Sequence, residues 1–289
     1  MRDVGSNVLA VRAAFWWGVG LEGPSAETST TCEASKKRLN VGSPEAHSED
    51  AVFVADGSLE VHLMGTVDFD SMQQLQERLV YEMSGRDDGQ ATLLLCEHPP
   101  VISMGREASI QQMRAREEEL ARLEVPVRWI SRGGGAFPHA PGQLAVYLLL
   151  PLDRRGLRAA EFRRRLEEAV ADACHELKVP AKRDELEPGL WGRGGQLAFF
   201  GAAVKSSITQ HGLFLNVAPH PSFLELATSN QAGERSISMQ AQRLGPVRMA
   251  QVREAVVRQI AEHFGYDAMH LYTGHPLLKR TVRKVCLHA

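Results

Sequence analysis

Apolar residues recur at helical spacing in three places. Met72, Leu75, Leu79 and Met83 line one face of a helix that Asp70 would cap, with Gln73 three residues on, and that Gly85 would stop. Phe162, Leu166, Val170, Cys174 and Leu177 keep the same period between residues 159 and 178, just ahead of Pro180. Met249, Val252, Val256, Ile260 and Phe264 predict a last helix, with Gly265 past its end. Residues 111–124 read as a further, charged surface helix.

Other stretches are unbroken apolar runs too short for helices. Residues 91–96 and 144–150 predict buried strands, the first ended by Pro99 and Pro100, which cannot donate to a ladder. Residues 127–130 predict another strand. Closely spaced strands follow at 189–192, 196–200, 202–209 and 213–217, with Gly194 and Gly195 as a hairpin turn. Strands and helices mix without regular βαβ alternation. The fold class expected is α+β, a mixed and largely antiparallel sheet flanked by helices.

Residues 22–50 break this pattern. They are rich in Ser, Thr, Glu, Gly and Pro and show no periodicity, so they read as disordered. The apolar stretch 13–21 follows Arg2 and Arg12 and outlines a signal peptide faintly, but Asp3 and the lack of a clean cleavage site favour a tail. The expected organisation is a disordered extension over 1–58, a catalytic domain over 59–272 and a tail over 273–289.

Composition narrows the function. The 33 basic and 35 acidic residues nearly cancel, which argues against nucleic acid held by bulk charge. No apolar stretch reaches the roughly 18 residues of a membrane span. Cys32, Cys96, Cys174 and Cys286 have no C-x-x-C spacing and suit neither a metal site nor a disulfide framework; a reducing, cytoplasmic setting is expected.

Candidate chemistry begins at Arg132-Gly133-Gly134-Gly135, directly after a predicted strand. Three glycines allow close backbone approach to a ligand, and His139 to Gln143 follow within a few residues. The run reads either as a substrate cradle or as a plain glycine turn.

Five motifs then stand in order: Glu97-His98-Pro99-Pro100-Val101, Met104-Gly105-Arg106, Arg132-Gly133-Gly134, His139 to Leu144, and His211-Gly212-Leu213-Phe214-Leu215-Asn216-Val217. Together they resemble the lipoyl(octanoyl) transferase family, also called lipoate-protein ligase B, over about residues 59–265. The resemblance implies the catalytic-domain fold of biotin and lipoate protein ligases. It also implies transfer of octanoate from acyl carrier protein to a lysine of a lipoyl domain, in 2-oxoacid dehydrogenases or the glycine cleavage H protein. No cofactor or metal is implied. Arg132, Gly133, Gly134, Gly135, Ala136, Phe137, Pro138, His139, Phe199, Phe200, Gly201, Gly212, Leu213 and Phe214 would line the acyl site.

The family acts through a cysteine that carries the acyl group and a lysine that favours its thiolate. This sequence departs at both. Gln196 stands where the lysine of K-I-A-x-x-G belongs, in Gln196-Leu197-Ala198-Phe199-Phe200-Gly201. Ser229 stands where the cysteine of P-C-G-x-x-G belongs, in Thr228-Ser229-Asn230-Gln231-Ala232-Gly233. A serine hydroxyl is far less acidic than a thiol and needs a positioned base. Octanoyl transfer is therefore expected to be impaired or altered. Two alternatives stay open: a non-catalytic protein that binds an acyl chain, acyl carrier protein or lipoyl domain, and an ATP-dependent lipoate or octanoate ligase.

Replacement groups are few. Lys205 is the only lysine among the clustered strands, and reads as a surface cation or a substitute. Cys96 and His98 would share a strand face and could pair, or Cys96 could be core. Cys174 reads as core. His211 shapes the acyl site or bonds the backbone. Arg154, Arg155, Arg158, Arg163, Arg164 and Arg165 form either a landing face for an acidic carrier protein or a solvated helix face interleaved with Glu161, Glu167 and Glu168.

Overall fold

The structure, a computed structural model, describes residues 57–229 and 234–278. Nearly all of the expected N-terminal extension, Cys32, Cys286 and residues 230–233 of the serine motif lie outside the described residues.

Eleven strands and five helices are described: β1 (Leu59–Thr66), α1 (Phe69–Ser84), β2 (Ala91–Glu97), β3 (Val101–Met104), α2 (Glu117–Arg122), β4 (Val127–Trp129), β5 (Ala136–His139), β6 (Gln143–Leu149), α3 (Ala159–Glu176), β7 (Lys182–Arg183), β8 (Leu190–Gly192), β9 (Gly195–Lys205), β10 (Ile208–Asn216), α4 (Pro221–Leu224), α5 (Met249–Phe264) and β11 (Met269–Thr273). The main sheet has the order β11-β1-β2-β6-β10-β9-β8-β7, parallel where β1 meets β11 and β2 and antiparallel elsewhere. A small sheet, β4-β3-β5, stands beside it.

Both faces of the main sheet are covered, which explains the unbroken apolar runs. Leu93, Leu95, Val146, Leu148, Leu213 and Leu215 face Phe162, Leu166 and Val170 of α3 and Val252, Val256 and Ile260 of α5. Their neighbours Leu94, Cys96, Tyr147, Leu149 and Phe214 join Met72, Leu75, Leu79 and Met83 of α1 on the other side. A strand buried on both faces loses the polar alternation that would otherwise mark it. A third, smaller core of Ile102, Met104, Leu120, Val125, Ala136, Leu226 and Ala227 sits on the small sheet. It ties the segment that ends at Ser229 to β3 and β5.

Several expected elements shift. Asp68, not Asp70, caps α1, accepting from Ser71 N, while Asp70 lies in the first turn and pairs with Arg128. The charged helix expected over 111–124 is cut to α2, because a 3-10 turn over Ile110–Gln112 forms first under a Ser109–Gln112 capping box. The strands expected at 196–200 and 202–209 are one strand, β9; the reversal comes at Ser206 and Ser207, both at positive φ. The tight turn after β8 is Arg193-Gly194, and Gly195 already belongs to β9. At the start of the expected tail, Gly274 N donates to Leu63 O (2.8 Å) and His62 Nδ1 bonds Gly274 O (2.9 Å); residues 279–289 lie outside the described residues.

Candidate active site

Ser229 and Gln196 lie 33 residues apart in sequence and in contact in space. The Ser229 hydroxyl donates to Gln196 Oε1. Gln196 is buried and Ser229 half-buried. The amide is held at its other end, where Nε2 donates to Pro188 O (3.1 Å). Residue 188 is fixed in turn from α3: the wholly buried Glu167 accepts from Gly189 N (2.7 Å) and from Arg163 Nε (2.9 Å). Gly189 sits at φ 116, and a Cβ there would stand 2.2 Å from Ala198 O, so this approach requires glycine.

Gln112 sets Ser229 against the glycine loop. Its Oε1 accepts from Ala136 N (3.0 Å), and its own carbonyl accepts from Thr228 N (2.9 Å). Gly135 then lets the Ser229 carbonyl pass: a Cβ on Gly135 would lie 2.6 Å from Ser229 O. The only signal for Gln112 in the sequence was its place at the end of a Ser-x-x-Gln capping box.

The loop is docked on β9. Gly133 N donates to Ala202 O (2.9 Å), and Gly201 approaches the loop so closely that a Cβ would meet Gly133 O at 2.5 Å and Phe137 at 2.9 Å. Across the ladder Gly201 pairs with Gly212, and Phe199 with Phe214. The three stretches named from sequence therefore meet. Phe137 stacks on Phe199 (5.2 Å between centroids) and meets Phe214 edge-on (5.9 Å), and these three rings fill the space between the stretches. Phe200 and Leu213 are the correction: they belong to the α3/α5 face, Phe200 lying 6.5 Å from the ring of Phe162. Adjacent strand residues point to opposite faces, so a site on the α1 side takes Phe199 and Phe214 but not their neighbours. A cleft of about 1300 Å³ lies between β1, α1 and residues 272–278, and none of the predicted site residues lines it.

One directed chain of hydrogen bonds runs under the loop. Arg132 Nη2 donates to Ser103 Oγ (2.8 Å), and Ser103 and His139 Nε2 share a 2.6 Å bond. His139 Nδ1 bonds Gln143 Oε1 (2.9 Å), whose Nε2 donates to Pro138 O (3.1 Å) and Asn216 Oδ1 (2.9 Å). The amide oxygen only accepts, so His139 carries its proton on Nδ1 and takes the Ser103 proton's bond on Nε2. Burial, with His98 and Arg132 nearby, holds His139 neutral, well below the ordinary histidine range. Ser103, like Gln112, was missed; a single serine in a short strand carries no pattern.

The substitutes considered from sequence are placed elsewhere. Lys205 is exposed at the far end of β9, nine residues from Gln196 and so ~30 Å along the strand. Cys96 and His98 do share a face, Sγ 3.6 Å from Nε2, but His98 Nε2 already accepts from Tyr147 OH (2.7 Å) and Nδ1 donates to Val67 O (2.7 Å). Burial pushes the Cys96 thiol up, away from the reactive thiolate. Cys174 is core. His211 is buried, with its backbone N–H on Gln76 Oε1 (2.8 Å). Of the arginine group, Arg158 is exposed, and the other five are bonded within the chain, Arg163 as described above. Arg154 donates to the carbonyls of Met83, Arg86 and Asp88 at the end of α1, and Arg155 to Phe264 O (2.5 Å). Arg164 and Arg165 pair with Glu161. A landing face built from those groups would have to break these bonds.

Fold and site together define the catalytic domain of the lipoyl protein ligases. The Lipoyl protein ligase A/B catalytic domain matches residues 69–264. The fold is shared with lipoate-protein ligase A bound with ATP (TM-score 0.61, 15% identity, 77% of this chain and 90% of that one). It is shared also with a putative lipoate protein ligase of T. acidophilum with bound lipoic acid (0.60, 16%, 77% and 91%). Within that class the octanoyltransferases stand nearer in sequence. That of Chloroflexus aggregans is 34% identical over 211 residues, 72% of this chain and 95% of its own. That of Syntrophotalea carbinolica is 36% identical over 200 residues, 69% and 91%. The chain belongs to the lipoyl(octanoyl) transferase family, acyltransferases of lipoate biosynthesis.

Proposed function

We propose that this protein takes an octanoyl group from acyl carrier protein onto Ser229 and passes it to a lipoyl-domain lysine in the cytoplasm. The observation that carries this is the Ser229–Gln196 contact: the two positions that diverge from the family pattern are still built against each other, beside the glycine loop. In the first step Ser229 Oγ bonds to the thioester carbonyl carbon, the C–S bond breaks, and the hydroxyl proton leaves with the carrier thiolate. In the second, the lysine amine bonds to that carbon, the C–O bond breaks, and a proton returns to Ser229 Oγ.

Gln196 orients the hydroxyl in this scheme but cannot accept its proton, since an amide oxygen is not a base near neutral pH. Nor can it supply the positive charge that favours an anionic nucleophile. Acylation is therefore slow compared with a cysteine–lysine pair. The same observation favours a second reading, in which the acyl chain is bound without turnover. The two separate on transfer to an isolated lipoyl domain, followed by mass, with octanoyl-carrier protein as donor and no ATP. Octanoylated lipoyl domain supports transfer; retained carrier protein with an unmodified domain supports binding. A product that forms only with ATP supports ligation.

A further inference from the structure

Pro188 and Gly189 lie between the paired residues Arg183 and Leu190, outside the β7–β8 ladder. The Pro188 carbonyl nevertheless settles which way the Gln196 amide faces. A carbonyl oxygen only accepts, so Nε2 turns to Pro188 O (3.1 Å) and Oε1 turns to the Ser229 hydroxyl. Ser229 is thereby made the donor in its contact with Gln196, and the lone pairs of its Oγ are left for an incoming carbonyl carbon.

Pro188 O and Gly189 N are the two polar atoms of one planar trans peptide, so they point in opposite directions. Holding the N–H on one side aims the C=O on the other. The N–H is held by Glu167 of α3, which is wholly buried. Its Oε1 accepts from Gly189 N (2.7 Å) and Arg163 Nε (2.9 Å), and its Oε2 faces Arg183 Nε at 3.4 Å. Arg163 also donates to Asp184 O (2.9 Å), at the other end of the same connection. A buried carboxylate paired with arginines adds little stability over apolar packing of the same volume. Strength alone does not account for a charge in this position; the aim of one peptide does.

We infer that Glu167 is a positioning residue for acyl transfer: through the Pro188–Gly189 peptide it turns the Gln196 amide so that Ser229 donates rather than accepts. The inference rests on the reading of Ser229 as the acyl acceptor and adds a residue on a different element, acting through two others.

Two substitutions in the full chain separate placement from charge. Glu167→Asp keeps the charge but is one methylene too short to reach Gly189 N. Glu167→Gln drops the charge but keeps the oxygen that Gly189 N and Arg163 share. One readout is the pair of Gln196 side-chain amide proton signals in the 15N-labelled protein, with their solvent exchange. The other is the single-turnover rate of octanoyl adduct formation against carrier-protein concentration. In Glu167→Asp the amide protons should exchange at least about tenfold faster. The saturating adduct rate should fall about tenfold, with the half-saturating donor concentration unmoved. Glu167→Gln should stay within about threefold of the parent on both, since it keeps the bond that sets the peptide. A parent-like amide signal in Glu167→Asp, a slowed adduct without a change in that signal, or equal damage from Glu167→Gln overturns the inference. Should Glu167→Asp not fold, Arg163→Met, which removes the carboxylate's anchor on α3, takes its place; it should shift the signal the same way, and no shift overturns the inference. If the parent forms no adduct, the acyl-acceptor reading fails on its own, and the amide signals alone judge the role of Glu167.

Discussion

The hydroxyl of Ser229 donates to the amide oxygen of Gln196, a group that can orient the hydroxyl but cannot take its proton. This contact gives a direct engineering test. Ser229→Cys alone supplies a thiol with an ordinary pKa near ~8.5, a few per cent thiolate at neutral pH. Gln196→Lys alone supplies a cation beside a hydroxyl too weakly acidic to use it. The double variant supplies both. Octanoyl adduct should form about tenfold faster in Ser229→Cys, hardly faster in Gln196→Lys, and about a hundredfold or more faster in the pair. Single-turnover mass spectrometry measures this, and simple additivity of the two changes would count against a coupled pair.

Cysteine reactivity should be silent in the folded domain. Cys96 and Cys174 are buried, and burial pushes both thiols up, Cys174 to about 12. Peptide mapping after iodoacetamide at pH 8 should find both unmodified until denaturant is added. Cys96→Ala should leave octanoyl adduct formation within about twofold of the parent, because the proposed acceptor is Ser229 and the Cys96 thiol is buried. Rapid native labelling of Cys96 would reopen the Cys96–His98 pair.

The docking of the glycine loop on β9 depends on an absent side chain. Gly201→Ala would place a Cβ 2.5 Å from Gly133 O and 2.9 Å from Phe137. A loss of about 1–3 kcal/mol is expected from such overpacking, together with weakened acyl transfer. Gly245→Ala is the control: nothing lies within 4 Å of its Cβ position, and the change should stay within about 0.5 kcal/mol. Urea midpoints of the two variants measure both.

Acid should destabilise the domain earlier than its carboxylates alone would require. Burial lowers His98 to about 4 and His211 to about 3. An unfolded histidine, near ~6.5, binds a proton first as pH falls, so the unfolded state gains protons that the folded state refuses. The stability these neutral rings hold is complete above about pH 6.5 and is lost progressively down to about pH 4 and 3, on the order of a few kcal/mol for each ring. The unfolding midpoint should therefore drop between pH 7 and pH 5; a midpoint that rises over that range contradicts the assignment of neutral buried rings.

Much of this fold is legible in the sequence where one physical signal dominates. The helical period of Phe162 to Cys174 and of Val252 to Phe264 gives α3 and α5, and the unbroken run 91–96 gives β2, because burial on one side or both is all that those segments need. β11 stays hidden, since every one of its residues is exposed and nothing alternates. β5 stays hidden because Pro138 and the glycines before it read as loop; the proline is tolerated there in a short outer strand. Asp70 outcompetes Asp68 on pattern, yet the hydrogen bond falls to Asp68.

The site is legible in a different way. Ordered motifs bring out Arg132, His139, Gln196 and Ser229, and the structure joins the last two. Ser103 and Gln76 leave no trace and Gln112 only its place in a capping box, because each acts through a long-range bond set by tertiary packing. The pairing of Phe199 with Phe214, and the exclusion of Phe200 and Leu213, follow only once the strand register is known.

The most direct measurement is the intact mass of the protein after single-turnover exposure to octanoyl-acyl carrier protein, with the modified peptide mapped. The account predicts one octanoyl group per chain, on Ser229, formed slowly and lost in Ser229→Ala. An adduct on another residue, or none after prolonged exposure to saturating donor, would contradict it.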